Sequence, residues 1–368
     1  MKINYFMPTK IIMAKNCIIE NSEVFKTLGK RAIIVTGKTS AKKNGALLDV
    51  TNALEQEGLE YFIYDKVVSN PTVDCVYEGV ALAKSMDADM VIAIGGGSPM
   101  DAAKAIALLK CQDIEKENFF CGKYENRALP MAFVPTTAGT GSEVTQYSII
   151  NNDVAKTKTN IVSPSLFPKV ALLDAKYLLG LSQETSINTA LDALSHSIEG
   201  LLSVKSDVVS KMVAVEGIKN IAQCFNNLIT NDLSVEVREK LLYASLLGGI
   251  VIAQTGTTSV HALGYSLTYF KHVDHGRANA LVMIEYLKLI QAKYPEIIKT
   301  ILEAAGLESL SCLKEVFDDL LGNIDEITLD EAKMFASIAI KARNISNGIV
   351  APDEAQLLDI YMNSLRIK

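Results

Sequence analysis

The chain has 368 residues, 49% of them apolar, with 36 Lys and Arg against 42 Asp and Glu for a formal charge of −6. That length predicts about two domains with room for large cores, and the lack of long charged or low-complexity runs marks a folded globular protein. The acidic balance argues against a general nucleic-acid binder, which needs a basic surface. No run of about 20 uncharged apolar residues marks a membrane helix. The opening MKINYFMPTKIIMAKNC lacks an apolar stretch followed by a small-residue cleavage site, and six cysteines (17, 75, 111, 121, 224 and 312) are scattered without a CxxC pair. Both features predict a cytoplasmic protein without a membrane partner.

In chain order, RAIIVTG (31–37) is a β-branched run ending in glycine, followed by helical spacing over 44–58. YFIYD (61–65) predicts a second strand, SNPT (69–72) a turn, and 73–87 a helix. ADMVIAIGGGS (88–98) is a third strand running into glycines, and MAFVPTT (131–137) and KVALLD (169–174) predict two more. Apolar strands alternating with helices imply a parallel sheet covered on both faces. After about residue 180 the strands stop. Segments 187–204, 206–227, 234–254, 277–292, 294–305, 328–343 and 353–366 all show helical periodicity,. The expected division is therefore 1–180, an α/β nucleotide-binding domain, and 181–368, an all-helical domain, with ligands at the carboxyl ends of the strands and a cleft between the domains.

Two turns suit phosphate. GGGSPMDAAKAIALL follows a strand and opens a helix. Its glycines let the backbone approach a bulky anion, and the Ser98 hydroxyl and the first helical N–H groups can bind phosphate oxygens. It is neither GxGxxG nor a Walker loop, and a plain strand-to-helix turn is the alternative. PTTAGTGSE (135–143) again follows a strand and is dense in hydroxyls and glycine. Two such turns at one sheet edge favour a nucleotide.

The second domain carries the other chemistry. Asp192 and His196, four residues apart in TALDALSHSIEG, project from one helix face,. Of four histidines, the other three are His261 in SVHALGYSL and His272 and His275 in HVDHGRANA. One Asp with imidazoles is a mixed N/O set of the kind that holds a divalent transition metal. An ion pair or a hydrogen-bonded core histidine is the plain alternative, and spacing alone leaves open whether His272 or His275 belongs to the set.

SNPT, GGGSPMDAAKA, PTTAGTGSEVT, the Asp192/His196 pair and the His261–His275 separation, in that order, resemble the iron-containing (group III) alcohol dehydrogenases along nearly the whole chain. The resemblance implies a parallel-sheet dinucleotide-binding domain followed by a helical metal domain, as in dehydroquinate-synthase-like architectures. It implies the ligand set Asp192, His196, His261 and His275, with His272 outside it, around Fe2+ or else Zn2+ or another divalent ion. It also implies pyrophosphate binding by Gly96, Gly97 and Ser98, with Asp101 closing the turn. Thr136, Thr137 and Thr140 would line the cofactor cleft, Lys158 would approach phosphate or ribose, and Asn70, Leu178 and Leu181 match further cofactor positions. A small alcohol or aldehyde would be the substrate and a homodimer the assembly.

Two positions depart from the family pattern. Where many members carry a second His four residues after the third ligand, this chain has Tyr265. Tyr265 and His272 are the candidates for its proton-relay role, with packing as the alternative for each. Where NAD-preferring members carry an acidic residue after the first expected strand, this chain has Gly37, followed by Lys38, Thr39, Ser40, Ala41, Lys42 and Lys43. An acidic residue there selects NAD, whereas a basic neighbour accommodates the 2′-phosphate of NADP. With Gly37 and Ser40 at the ribose, NADP(H) is expected over NAD(H). Two other functions remain open: a dehydroquinate-synthase-like lyase acting on a phosphorylated substrate, for which Lys271 and Arg277 are the nearby cations, and a non-catalytic nucleotide-binding protein.

Overall fold

The computed structural model describes residues 3–368. They form two compact units. One comprises Met7–Thr137 and Gly141–Leu181; the other comprises Ser182–Lys368, Ala138–Thr140 and the segment ending at Phe6.

The first unit is built on a parallel sheet. Its strands are β1 (Lys10–Met13), β2 (Arg31–Gly37), β3 (Glu60–Val67), β4 (Met90–Gly95) and β5 (Met131–Pro135). A separate antiparallel hairpin follows, β6 (Tyr147–Asn152) with β7 (Thr157–Val162), before β8 (Val170–Leu173) completes the sheet in the order β1-β8-β5-β4-β2-β3. The apolar runs give the four inner strands. Every residue of β4, β5 and β8 is buried, as the covering of both sheet faces requires,. Each fully buried Val or Ile contributes about 1.5–3 kcal/mol. Where β2 meets β3 the register slips, with Val35 opposite Tyr64 but Gly37 opposite Val67, so β3 holds one extra residue beside the end of β2,.

The helix Val73–Ser85 starts at Thr72, whose side chain accepts from Cys75 N,. It crosses the helix Gly97–Lys110 at Gly79, where an added Cβ would lie 2.4 Å from Ile106 Cδ1. Glycine is therefore what lets these two helices meet so closely.

In the second unit the long helices are Gln183–Leu202, Val208–Ala222, Val235–Thr255, Ser259–Lys271 and His275–Gln291. Ser182 and Ser234 cap two of them, accepting from Thr185 N and Val237 N. Small residues set the crossing of Gln183–Leu202 with Val235–Thr255. An added Cβ at Gly200 would lie 2.0 Å from Val251 Cγ1, and one at Gly248 would lie 3.2 Å from His196 Cβ. The helices Ser259–Lys271 and Leu310–Leu321 were not expected from periodicity. The unit is not purely helical either: β9 (Glu326–Ile327) pairs in parallel with β10 (Arg366–Ile367), a two-residue pairing too short to leave an alternating pattern.

No single helix among the described residues is long and apolar enough to cross a membrane. Val235–Thr255 and Ser259–Lys271 pass only as a pair bent by 112°. All six cysteines are free.

Candidate functional site

Three helices of the second unit converge their polar side chains. Gln183–Leu202 brings Asp192 and His196, Ser259–Lys271 brings His261, and His275–Gln291 begins with His275. Asp192 Oδ1 lies 3.8 Å from His196 Nε2, 4.0 Å from His261 Nε2 and 3.8 Å from His275 Nε2. His196 Nε2 and His261 Nε2 are 3.1 Å apart. Atoms bound at about 2.1 Å to one ion with near-tetrahedral angles stand about 3.4 Å apart. Asp192, His261 and His275, with ligand atoms within 4.8 Å of one another, suit one small cation, and His196 lies next to Asp192 and His261 but outside that mutual group.

The chemistry of the donors suits it too. Burial holds His196 below the usual imidazole value, against the pull of Asp192, and so keeps it in the neutral form that ligates. Asp192, His196 and His261 are almost wholly buried, at 3–4% exposure, and a carboxylate facing imidazole nitrogens in such a place needs a positive partner.

Glycine allows the approach. At Gly276 an added Cβ would sit 1.8 Å from Asn188 O and 2.9 Å from Asp192 Cβ. That bare backbone presses the helix carrying His275 onto the helix carrying Asp192. Asn188 Nδ2 also donates to Asp274 Oδ2 at 2.8 Å, fixing the start of the same helix.

Tyr265, one turn after His261, stacks on His275 with ring centroids 5.5 Å apart and meets His261 edge-on at 6.2 Å. It therefore stands at the cluster. His272 does not join it. It is exposed and ends its helix at φ 56, the left-handed conformation of a C-terminal cap,.

Two residues at the cluster lie outside the motif reading. Asn279, one turn after His275, donates from Nδ2 to Asp192 Oδ1 at 3.2 Å and lies 3.4 Å from both His261 Nε2 and His275 Nε2. Glu199, on the face of Asp192 and His196, contacts His261 Nδ1. Burial pushes its carboxyl up, but His261 and the Thr258 donors outweigh this and hold it below its ordinary value. Helical spacing was the available signal: 192, 196 and 199 share one face, as do 275 and 279.

In the first unit Gly37 ends β2, Gly96, Gly97 and Ser98 follow β4, and Thr136 and Thr137 follow β5, whereas Asn70 follows β3, Lys158 lies on β7, and Leu178 and Leu181 follow β8. Gly95 has φ +153, with the Pro99 ring where a Cβ would be, and Gly97 opens the helix. A Cβ on Gly96 would lie 2.8 Å from Thr137 Oγ1, so the two turns touch. Thr136 N donates to Gly95 O at 2.9 Å. Asn70, at φ 56, donates from its backbone to Ser98 Oγ at 3.1 Å. Thr140 groups with the second unit instead.

Asp101 accepts from Ser142 Oγ at 3.2 Å, and burial pushes its carboxyl up to about 6 against the pull of Lys104, Ser142 and, more weakly, Lys158 on β7. Lys104, fully buried, donates to Ser142 O, Ser142 Oγ, Thr145 Oγ1 and Tyr147 O at 2.7–3.0 Å, tying the helix after the glycines to the segment after the threonines. Leu178 is buried and Leu181 half-buried. The preceding Tyr177 carbonyl accepts from Asn44 Nδ2 at 3.0 Å, joining this stretch to the lysine-bearing segment after Gly37. Ser40, Lys38 and Lys43 are exposed. Lys42 Nζ, however, lies 2.5 Å from Asp65 Oδ2, and this contact holds the Asp65 carboxyl below its ordinary value. The local segment has no carboxylate, but the neighbouring strand supplies one, and one of the three cations is thereby paired.

Comparison with known proteins agrees with both units. The profile of the iron-containing alcohol dehydrogenases matches residues 8–175, and the C-terminal profile of the same family matches residues 186–365. Alcohol dehydrogenase 4 of Saccharomyces cerevisiae (strain ATCC 204508 / S288c) is 33% identical over 286 residues, 76% of this chain and 73% of that protein. The iron-containing alcohol dehydrogenase of Thermotoga maritima superposes with a TM-score of 0.91 at 36% identity, covering 98% of this chain and 99% of that one. The sulfoacetaldehyde reductase of Bifidobacterium kashiwanohense, solved with NAD+, gives a TM-score of 0.89 at 26% identity over 99% of both chains. Fold and relatives together define an oxidoreductase acting on alcohols or aldehydes. The chain belongs to the iron-containing alcohol dehydrogenase family.

Proposed function

We propose that the chain is an alcohol dehydrogenase or aldehyde reductase in which Asp192, His196, His261 and His275 hold one divalent ion, iron first among the candidates, and which uses NADP(H) in preference to NAD(H). The observation that carries the metal reading is that Asp192, His261 and His275 offer ligand atoms within 4.8 Å of one another, with His196 Nε2 beside them at 3.8 Å from Asp192 Oδ1 and 3.1 Å from His261 Nε2. The ion, when bound, would supply Lewis acidity toward the substrate oxygen. The chain's own part is to hold the donors. Asp192 brings the negative charge, buried His196 stays neutral, and Asn279 steadies Asp192 by donating to it.

The lyase alternative needs free cations for a phosphorylated substrate. Lys271 is paired to Glu331 at 3.0 Å, and Arg277 to Asp325 at 2.8 Å and to the Leu321 carbonyl at 2.7 Å. Neither is left for a phosphate. Free thiols throughout fit a reducing cytoplasm,. The test of the main reading is elemental analysis of anaerobically purified protein, with NAD(P)H oxidation on a panel of short aldehydes before and after chelation. About one equivalent of metal and chelator-sensitive reduction is expected; turnover untouched by complete metal removal sinks it.

The proposed cofactor preference rests on Gly37, which leaves no acidic side chain at the end of β2, and on the exposed Lys38, Ser40 and Lys43 beyond it. A charge-assisted contact to phosphate is worth about 1.5–3 kcal/mol, or roughly tenfold or more in kcat/KM. The Lys42–Asp65 pair keeps the expected preference at the low end of that range. An added Cβ at Gly37 would lie 3.5 Å from Val67 O, ordinary contact, so Gly37→Asp can fold. That variant is expected to erase or reverse the preference by repelling phosphate and accepting from the ribose. Wild-type protein at least tenfold better with NAD(H) contradicts the reading, as does a Gly37→Asp protein with unchanged selectivity.

A further inference from the structure

Glu199 is fully buried, and its two carboxylate oxygens are engaged differently. Oε1 accepts three donors: Thr258 N at 2.7 Å, Thr258 Oγ1 at 2.7 Å and His261 N at 3.3 Å. Oε2 meets His261 Nδ1. We infer that Glu199 is a positioning residue that sets the tautomer of His261. It keeps the imidazole proton on Nδ1 and so presents the Nε2 lone pair to the point shared by Asp192, His196 and His275. The inference rests on the metal reading of that cluster.

A carboxylate only accepts, which is why one side chain can serve donors on both of its oxygens. Glutamine at 199 would be almost isosteric but could not do so. Its amide must offer oxygen to one side and NH2 to the other. The three donors at the Oε1 side draw the oxygen there, leaving NH2 against His261 Nδ1. Two donors then face each other unless Nδ1 gives up its proton. The imidazole takes the other tautomer, with the proton on Nε2, and its ligating lone pair is lost. A residue that merely packs would behave in the opposite way, because Glu199→Gln preserves shape.

The test uses the full chain labelled with 15N-histidine. Four histidines give a readable long-range proton–nitrogen spectrum, and His261 is assigned by comparison with the His261→Ala protein. In metal-free wild type at mildly alkaline pH, His261 is expected as the Nδ1–H tautomer. In Glu199→Gln it is expected as Nε2–H, with Zn2+ affinity, measured by chelator competition, lower by about 10–100-fold. Wild-type His261 found as Nε2–H overturns the inference, and this spectrum decides the matter even if the variant does not fold. Glu199→Gln with Nδ1–H retained also overturns it. A tautomer flip with undiminished Zn2+ affinity upholds the positioning role and removes His261 from the ligand set instead.

Discussion

His261→Ala is expected to lose metal retention by about a hundredfold or more and to lose turnover with it, while nucleotide affinity stays near wild type. The substitution removes the nitrogen that lies 3.1 Å from His196 Nε2 and 4.0 Å from Asp192 Oδ1. It also strips the buried Glu199 carboxylate of its imidazole partner. Leaving a buried carboxylate short of a donor costs about 1–3 kcal/mol or somewhat more for a charged group, so thermal stability should fall as well. The glycine turn, Asn70 and Thr136 lie in the other unit and keep their own hydrogen bonds. Metal per chain by mass spectrometry, set beside NADPH affinity by fluorescence titration, separates the two effects. Stoichiometric metal with full turnover in this variant would remove His261 from the site.

The sheet was legible because its inner strands are continuous apolar runs. RAIIVTG, MVIAIG, MAFVP and VALL have no other stable place than a covered parallel sheet. β1 was missed because KIIM is a four-residue edge strand, exposed or half-buried throughout. The hairpin β6–β7 was missed because YSIINN and TKTNIV are largely polar. The helix carrying His261 was hidden by the run TGTTS before it and by Gly264, which helical periodicity reads as a break. Glycine is present there because a Cβ would meet Asn279 Oδ1 at 2.1 Å. The Asp192/His196 pair stood out by type and spacing. Glu199 and Asn279 did not, since each looks like an ordinary polar residue until the partner helix supplies His261. Asp65 is the same lesson in the nucleotide unit: its contact with Lys42 crosses from strand to helix, and no local window contains both.

Gly276→Ala is expected to be strongly destabilising. Overpacking usually costs about 1–3 kcal/mol and occasionally more. Here the added carbon would sit 1.8 Å from Asn188 O, a backbone atom inside a helix, and 2.9 Å from Asp192 Cβ. Neither can turn aside as the end of a flexible side chain can. The helix beginning at His275 must back away, widening the 3.8 Å separation between His275 Nε2 and Asp192 Oδ1. A loss near the upper end of that range corresponds to a melting temperature lower by roughly 6–10 °C, together with weaker metal retention. Gly180→Ala is the control, because its added methyl meets nothing within 4 Å. Calorimetry and metal analysis on the two variants decide it; a Gly276→Ala protein that melts and binds metal like Gly180→Ala shows that the helices do not need this contact.

The four side chains of the cluster are unequally sheltered. Those of Asp192, His196 and His261 are 3–5% exposed, and that of His275 is 25% exposed. The helix Gln183–Leu202 is buried along nearly all its length, so it closes the rear of the cluster. Solvent therefore reaches the four donors most readily at His275, beside the Tyr265 ring stacked on it, while the other three sit behind that pair of rings.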